Sequence, residues 1–341
     1  MNSATESAAV AAAAKAGDES AFTSLVEKYR RELHVHCYRM LGSFQDSEDL
    51  VQETFLRAWR RRSSFQGRST FRAWLYSIAT NACLDALEAR ERRPRLVDAT
   101  APDSGGAELH VGEVPWLQAY PDRLLDAAAA SDAEPDAAIV AKETIELAFL
   151  VAIQLLPSRQ RAVLILRDVL GWPAKETAAL LETSVASANS ALQRARATLK
   201  KHLPARRSEW APASDPSEEE RALLRRYIDA TERGDADAFL EMMREDARFA
   251  MPPEPGLYIG AKTIVEGWKQ GGFGSEEFGD LGCLLTSANR QPAVANYLRR
   301  AGESEYRAHA LDVLRIQDGL ITEIITFPLA DPAAFDLPPV L

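Results

Sequence analysis

The chain has 341 residues, 50 of them acidic and 40 basic, for a net charge of −10. Its length implies two or three domains, and no apolar run reaches the ~18 residues that a membrane-spanning helix needs. The first residues lack the basic and strongly apolar regions of a signal peptide, so a cytoplasmic protein without membrane insertion is expected. Cys37, Cys83 and Cys283 lie far apart, which argues against a disulfide scaffold and against a four-ligand zinc site. No metal and no cofactor are expected.

The acidic excess is not spread evenly. Residues 18–93 carry 13 basic and 11 acidic side chains and residues 143–206 carry 9 and 5, whereas residues 94–142 carry 3 and 9 and residues 207–341 carry 14 and 24. Two mildly basic modules are thus tethered to acidic partners, and local fields outweigh the overall charge. This distribution keeps nucleic-acid binding open despite the overall sign.

Residues 1–17 read as a flexible leader. Asp18 can cap a helix with the apolar face Phe22, Leu25, Val26 and Tyr29. A second helix carries Leu33, Cys37, Tyr38, Met40 and Leu41 and ends at Gly42. His34 and His36 are two apart on it and do not share a face, so they make a poor metal pair. The third helix starts acidic, with Asp46, Glu48, Asp49 and Glu53, and ends basic, as its dipole favours. Val51, Phe55, Ala58 and Trp59 give it a core face while Asp49 and Glu53 stay outside. Six arginines and no acid lie between residues 57 and 72. After a break containing Gly67, Ser69 or Thr70 can cap a fourth helix with the stripe Phe71, Trp74, Leu75, Ile78 and Ala82. Residues 18–93 therefore read as a four-helix domain.

Proline, glycine and acid dominate residues 94–142, an acidic linker with one short helix near Leu124–Ala130, in which Trp116 and Leu117 can dock on a neighbouring domain. Residues 143–204 are helical again. A helix pair carrying Leu155, Val163, Leu164 and Leu166 is entered through the Leu156-Pro157 bend; a helix-turn-helix follows, with Ala174–Leu181 as its first helix, the turn Glu182-Thr183-Ser184, and a second helix starting after Ser184. Val185, Ala188, Leu192, Ala195 and Leu199 mark the buried side of the last helix. Small and polar residues in its first half and basic residues in its second suit base edges and then phosphates. A further linker, residues 205–217, precedes residues 218–336, where two helices lead into strands near Phe249–Met251, Gly282–Thr286, Ala293–Arg299, Tyr306–Ile316 and Ile321–Phe327. Asp318-Gly319 is a hairpin signal between the last two. Residues 337–341 read as a tail.

The text QDSEDLVQETFLRAWRRRSSFQGRSTFRAWLYSIATNACLDALEARERR resembles region 2 of a group 4 (extracytoplasmic function) bacterial sigma factor, and LGWPAKETAALLETSVASANSALQRARATLKK falls in a block similar to its region 4. The resemblance implies core RNA polymerase as a partner, through the β′ clamp helices and the β subunit, with Asp49, Gln52 and Glu53 as contacts. It implies promoter DNA as the other partner. Arg61, Arg62, Phe65, Arg72, Asn81 and Arg90 are the candidates for the −10 element and strand opening; Phe65, in the loop, suits packing on an extruded base, and Trp74 suits the core. Ser187, Asn189, Ser190, Gln193, Arg194, Arg196, Lys200 and Lys201 are the candidates for the −35 element. No GxxxxGK phosphate loop is present, which disfavours an ATP-dependent activator.

Residues 218–336 resemble the SnoaL-like members of the NTF2-like fold. The expected architecture is multidomain: two all-α sigma domains, a region 2 bundle and a region 4 helix-turn-helix, plus an α+β NTF2-like cone. Such a cone implies a pocket, here lined by Phe249, Met251, Tyr258, Trp268, Tyr297, His309 and Asp312, and a small-molecule ligand or regulatory protein as partner. Strand alternation places His309 and Asp312 on opposite faces unless a bulge intervenes. A regulatory domain without catalytic residues is therefore the expected reading, and a working cyclase, isomerase or hydrolase is the alternative.

Overall fold

Helix boundaries in the first unit follow their capping residues. The structure, a computed structural model, describes residues 16–65, 70–91, 114–129, 146–203, 216–254 and 256–341. The Asp18 carboxylate accepts from the Ala21 N–H at 3.0 Å and starts α1, Glu19–Glu27. Gly42 takes the left-handed conformation (φ 74°) that ends α2, Arg30–Leu41. Ser43 caps α3, Phe44–Arg60, and Thr70 accepts from Ala73 N–H at 3.1 Å to start α4, Phe71–Glu91; Ser69 lies outside the described residues. Leu33, Tyr38, Val51, Ala58, Leu75 and Ala82 fill the centre of this bundle. His36 is buried there, 2.9 Å from the Thr80 hydroxyl, and both it and His34 serve packing.

A short helix, α5, spans Asp122–Ala129. Next come α6, Leu147–Gln154, and α7, Ser158–Leu164, which runs on into a π-helical segment, Ile165–Val169. Then α8, Ala174–Leu180, and α9, Val185–His202, form the helix-turn-helix. Glu182 supplies the positive φ of the turn (49°), and the Ser184 hydroxyl accepts from the Ser187 N–H at 3.0 Å. Ala188, Leu192 and Ala195 are buried, but Val185, expected among them, is 41% exposed. A helical side chain covers the turn N-terminal to itself, and at the first residue of α9 that turn is the interhelical loop.

Within the first unit (16–91, 124–129 and 152–202 of the described residues) one buried arginine ties the helical modules together. Arg161, on α7, donates to the Met40 carbonyl at the end of α2, to Gln154 Oε1 at 2.6 Å, and to the carbonyls of Gln154 and Leu156 at 2.5 and 3.2 Å. The Gln154 amide donates in turn to the Arg39 carbonyl at 3.1 Å. Each helix end leaves carbonyls without intrahelical partners, and a planar guanidinium with five donors can satisfy several at once.

The second unit is an α+β cone. Its first helix, α10 (Glu218–Glu232), carries a reciprocal capping box between Ser217 and Glu220. A 3₁₀ turn, Ala236–Glu241, leads to β1 (Met243–Ala250), β2 (Tyr258–Ile259), α11 (Ala261–Gln270), β3 (Asp280–Ala288), β4 (Gln291–Arg299), β5 (Arg307–Gln317) and β6 (Leu320–Pro328). The sheet order is β2-β1-β6-β5-β4-β3, with only the β1–β6 pair parallel among the described strands. The first strand lies earlier than expected and excludes Met251, because Pro252 and Pro253 follow and bring no ladder donors. The two-residue hairpin turns of β3–β4 and β5–β6, Asn289-Arg290 and Asp318-Gly319, each have two positive φ values (52° and 60°, 52° and 75°), the handedness that matches strand twist. The core packs Tyr227, Phe239, Ile264, Val294, Leu314 and Ile324 between the helices and the concave face. Among the described residues no helix is long and apolar enough to cross a membrane.

Candidate functional site

Three surfaces and one cavity follow from this arrangement. On α3, the polar positions form one exposed stripe: Asp49 and Gln52 are exposed and Glu53 is partly so. Glu53 is paired with Arg57 at 2.7 Å, and Arg57 also meets Asp85 at 2.8 Å. Leu56 shares the stripe, one turn from Gln52 and Glu53 and two turns from Asp49, and is 51% exposed. Sequence reasoning missed it, although an apolar residue at i+3, i+4 and i+7 from a polar stripe was a visible signal.

The residues expected at the −10 element divide. Arg61 and Asn81 are exposed. Arg62 stacks on Trp59 at 4.1 Å, Arg72 pairs with Glu32 at 2.7 Å, and Arg90 pairs with Asp46 at 2.8 Å. Phe65 is half-buried in an aromatic trio, 5.3 Å from Trp74 and 5.6 Å from Phe71, so these side chains support one another. On α9, Ser187, Asn189, Ser190, Gln193, Arg194, Lys200 and Lys201 are all exposed on the side away from Ala188, Leu192 and Ala195. Arg196 is also exposed but holds Asp168 through two hydrogen bonds of 2.6 and 2.8 Å.

The interdomain segment 114–123 is stitched to the cone within the second unit. Leu117 and Tyr120 are buried. The left-handed Asn289-Arg290 turn leaves both of its backbone N–H groups outside the hairpin ladder, and the segment captures both. Asn289 N–H donates to the Tyr120 carbonyl at 2.9 Å, and Arg290 N–H donates to the Asp122 carboxylate at 2.8 Å. In return Asn289 Oδ1 accepts from the Tyr120 N–H at 2.7 Å, and Pro121 bridges to Ala288. Arg123 completes the seam at the carbonyls of Ala333 and Ala334, 2.7 and 2.6 Å away, and at Asp336, 2.8 Å.

The cone encloses a cavity of about 580 Å³, within the usual range of ligand pockets. Phe249, Met251, Tyr258, Trp268, His309 and Asp312 line it, and Tyr297 does not. Asn296 faces the cavity, so alternation turns Tyr297 the other way, where its hydroxyl donates to the Pro338 carbonyl at 2.7 Å. His309 and Asp312, expected on opposite faces, both line the cavity. On β5, Ala310 pairs with Asn296 and Ala308 with Tyr297, which leaves His309 as the extra residue of a bulge and resets the alternation.

At the cavity floor Asp312 Oδ2 accepts from the Tyr227 hydroxyl at 2.9 Å and the Asn296 amide at 2.6 Å, and Oδ1 accepts from the Thr326 hydroxyl at 2.5 Å. The Cys283 thiol donates to Asn296 Oδ1 at 3.3 Å, which fixes the amide with its donor toward Asp312. Burial pushes the Asp312 carboxyl above its ordinary value, and the three donors oppose that shift. Burial and nearby Arg300 push the His309 imidazole down. The polar residue Asn296 inside the apolar run of β4 was a readable signal; Tyr227 and Thr326 join the floor only through the tertiary fold. Among the described residues no His, Cys, Asp and Glu cluster could hold a metal ion.

Comparison with known proteins divides the chain in the same order. Residues 25–93 match sigma-70 region 2, residues 146–199 match sigma-70, region 4, and residues 224–324 match a SnoaL-like domain. The chain is 43% identical over 301 residues to the ECF RNA polymerase sigma factor SigG of Mycobacterium tuberculosis, covering 87% of this chain and 78% of that protein. It is 33% identical over 187 residues to the RNA polymerase sigma-H factor of Pseudomonas aeruginosa, covering 55% of this chain and 88% of that one. The crystal structure of the extracytoplasmic function sigma factor SigJ of Mycobacterium tuberculosis shares the fold with a TM-score of 0.54 at 21% identity, over 93% of this chain and 99% of that one.

Proposed function

The chain belongs to the extracytoplasmic function RNA polymerase sigma factors, and from that premise we propose how its surfaces divide the work. As a sigma factor it binds RNA polymerase and promoter DNA and starts transcription; that part is not an enzyme. The exposed stripe of α3, with Asp49, Gln52, Glu53 and Leu56, docks on the β′ clamp helices. Leu56 supplies apolar contact and the acids supply orientation and encounter rate. Arg61 and Asn81 meet the −10 region directly. Arg62, Arg72 and Arg90 join once their present partners are exchanged for phosphates, and Phe65 leaves the aromatic trio to receive an unstacked base. The exposed face of α9 reads the −35 element, with Ser187, Asn189, Ser190 and Arg194 toward bases and Lys200 and Lys201 toward phosphates. Arg196 joins the phosphate contacts once it is released from Asp168.

The C-terminal cone regulates this machinery through the interdomain segment. The observation that carries this reading is the seam between residues 114–123 and the Asn289-Arg290 turn. The cone thereby sets the reach of the chain that connects the two promoter-binding modules. Deletion of residues 212–341 tests it: initiation from a cognate promoter, core affinity and DNA affinity are compared with those of the full chain at equal concentration and defined salt. A change in initiation supports coupling; identity in all three rejects it. The alternative, a working cyclase, isomerase or hydrolase, draws on Asp312 and His309 sharing one cavity. Against it, the Asp312 carboxylate already accepts three hydrogen bonds, an arrangement suited to holding charge in place rather than to moving protons.

A further inference from the structure

We propose that the cone cavity takes an organic cation, an apolar ring system carrying a protonated amine, with the ammonium set against Asp312. The proposal rests on reading the cavity as a ligand site and adds the chemical class of the ligand. Three features of the lining carry it.

The walls are aromatic. Trp268 stands 5.1 Å from Phe239, 5.4 Å from Phe249 and 6.1 Å from Phe273, the first two edge to face; Phe278 lies 6.2 Å beyond Phe273. Such rings give an apolar body a large contact area and offer negative faces to a cation. The charge is one-sided. Asp312 and Glu254 line the cavity, and among the described residues that line it there is no lysine or arginine. His309 is held toward its neutral form by burial and by exposed Arg300.

The third feature is the state of Asp312 itself. Its three hydrogen-bond partners, Tyr227, Asn296 and Thr326, are all neutral. They orient the carboxylate without cancelling its charge. Two carboxylate oxygens offer about four acceptor sites, and three are used, so one remains on Oδ1 for a donor brought by the ligand. A protonated amine fills that site, offsets the buried charge and packs its remaining surface on the rings. A carboxylate or phosphate ligand meets charge of its own sign and no basic side chain in the lining, and a neutral alcohol satisfies the hydrogen bond but leaves the charge.

Isothermal titration calorimetry on the full chain with three probes sharing one ring tests this: naphthylethylamine, naphthylethanol and naphthylacetate, at neutral pH and fixed salt. The amine is expected to bind at least about tenfold more tightly than the alcohol, and the acetate least. Asp312→Asn should remove the preference for the amine. Because that change touches a buried network, Met251→Lys at the exposed rim serves as the second variant; it should weaken the amine and strengthen the acetate. Equal binding of amine and alcohol, or tightest binding of the acetate, overturns the cation assignment while leaving a ligand site in place. Absence of binding by all three overturns the ligand-site reading and the proposal with it. An amine preference untouched by Met251→Lys places the cation outside this cavity and also overturns the proposal.

Discussion

Asn289→Gly tests whether the seam on the interdomain segment sets the activity of the sigma factor. Glycine keeps the left-handed backbone that position 289 needs (φ 52°), so the hairpin turn survives, whereas alanine would add strain of its own. What disappears is Oδ1, the acceptor of the buried Tyr120 N–H at 2.7 Å. Leaving such a donor without its acceptor costs about 1–3 kcal/mol. The whole of that cost falls on the docked form, because the released segment hydrogen-bonds to water. A shift of that size changes the docked-to-released ratio by about 5–150-fold. Trypsin reads the change at Arg123, whose guanidinium is engaged at Ala333, Ala334 and Asp336 while the segment is docked. When opening and reclosing are fast relative to cleavage, the cutting rate follows the released fraction and should rise by the same factor, and promoter-dependent initiation should change with it. Unchanged cutting at Arg123 in a variant with wild-type melting behaviour refutes the seam; increased cutting with unchanged initiation refutes its regulatory role.

Asp49→Lys and Leu56→Ser should each lower core-polymerase affinity, about tenfold for a loss near 1.4 kcal/mol, at unchanged helicity; copurification at matched fold content checks this, and wild-type recovery of polymerase removes α3 as the docking face. Arg194→Ala should lower promoter affinity and relax −35 preference by about 1–3 kcal/mol, whereas Lys201→Ala should lower affinity evenly and shallow the salt dependence by about one unit; the reverse pattern in a binding titration across salt and sequence refutes the orientation of α9. Burial holds His34 and His36 down at about 4 and about 3, against 6.5 in the unfolded chain. Above pH 6.5 neither state binds these protons; as pH falls below it the unfolded chain takes them up first, so stability is lost progressively toward pH 3–4. Urea midpoints across that range should fall with pH, and His36→Gln should flatten the slope; parallel curves for both proteins would show that His36 does not contribute.

The parts legible in the sequence are those whose cause is local. A cap such as Asp18 or Ser184, a left-handed Gly42, and the apolar spacing of Ala188, Leu192 and Ala195 act within a few residues, so helix starts, stops and faces could be read directly. The exposed face of α9 followed from the same spacing. The cavity was legible only in outline, because a strand alternates by default and the bulge at His309 leaves no local mark; one extra residue in β5 reversed the relation between His309 and Asp312. Arg161 shows the limit from the other side. In the sequence it is one more basic residue in a basic module, yet it is buried and its hydrogens go to the carbonyls of Met40, Gln154 and Leu156, up to 121 positions away along the chain. Charge counted along a chain therefore overstates the charge available to DNA. Arg161 is spent on helix ends, Arg72 on Glu32, Arg90 on Asp46 and Arg196 on Asp168. The Arg90–Asp46 and Arg196–Asp168 pairs lie at the surface, screened and individually weak, so a phosphate can replace the carboxylate at little cost. Arg161 cannot be exchanged in this way, since its acceptors are buried backbone carbonyls that would be left unpaired. The basic residues of the two modules thus divide by the cost of releasing them: the surface arginines can be exchanged, as the proposed promoter contacts require, and the buried one holds α2 and α7 together.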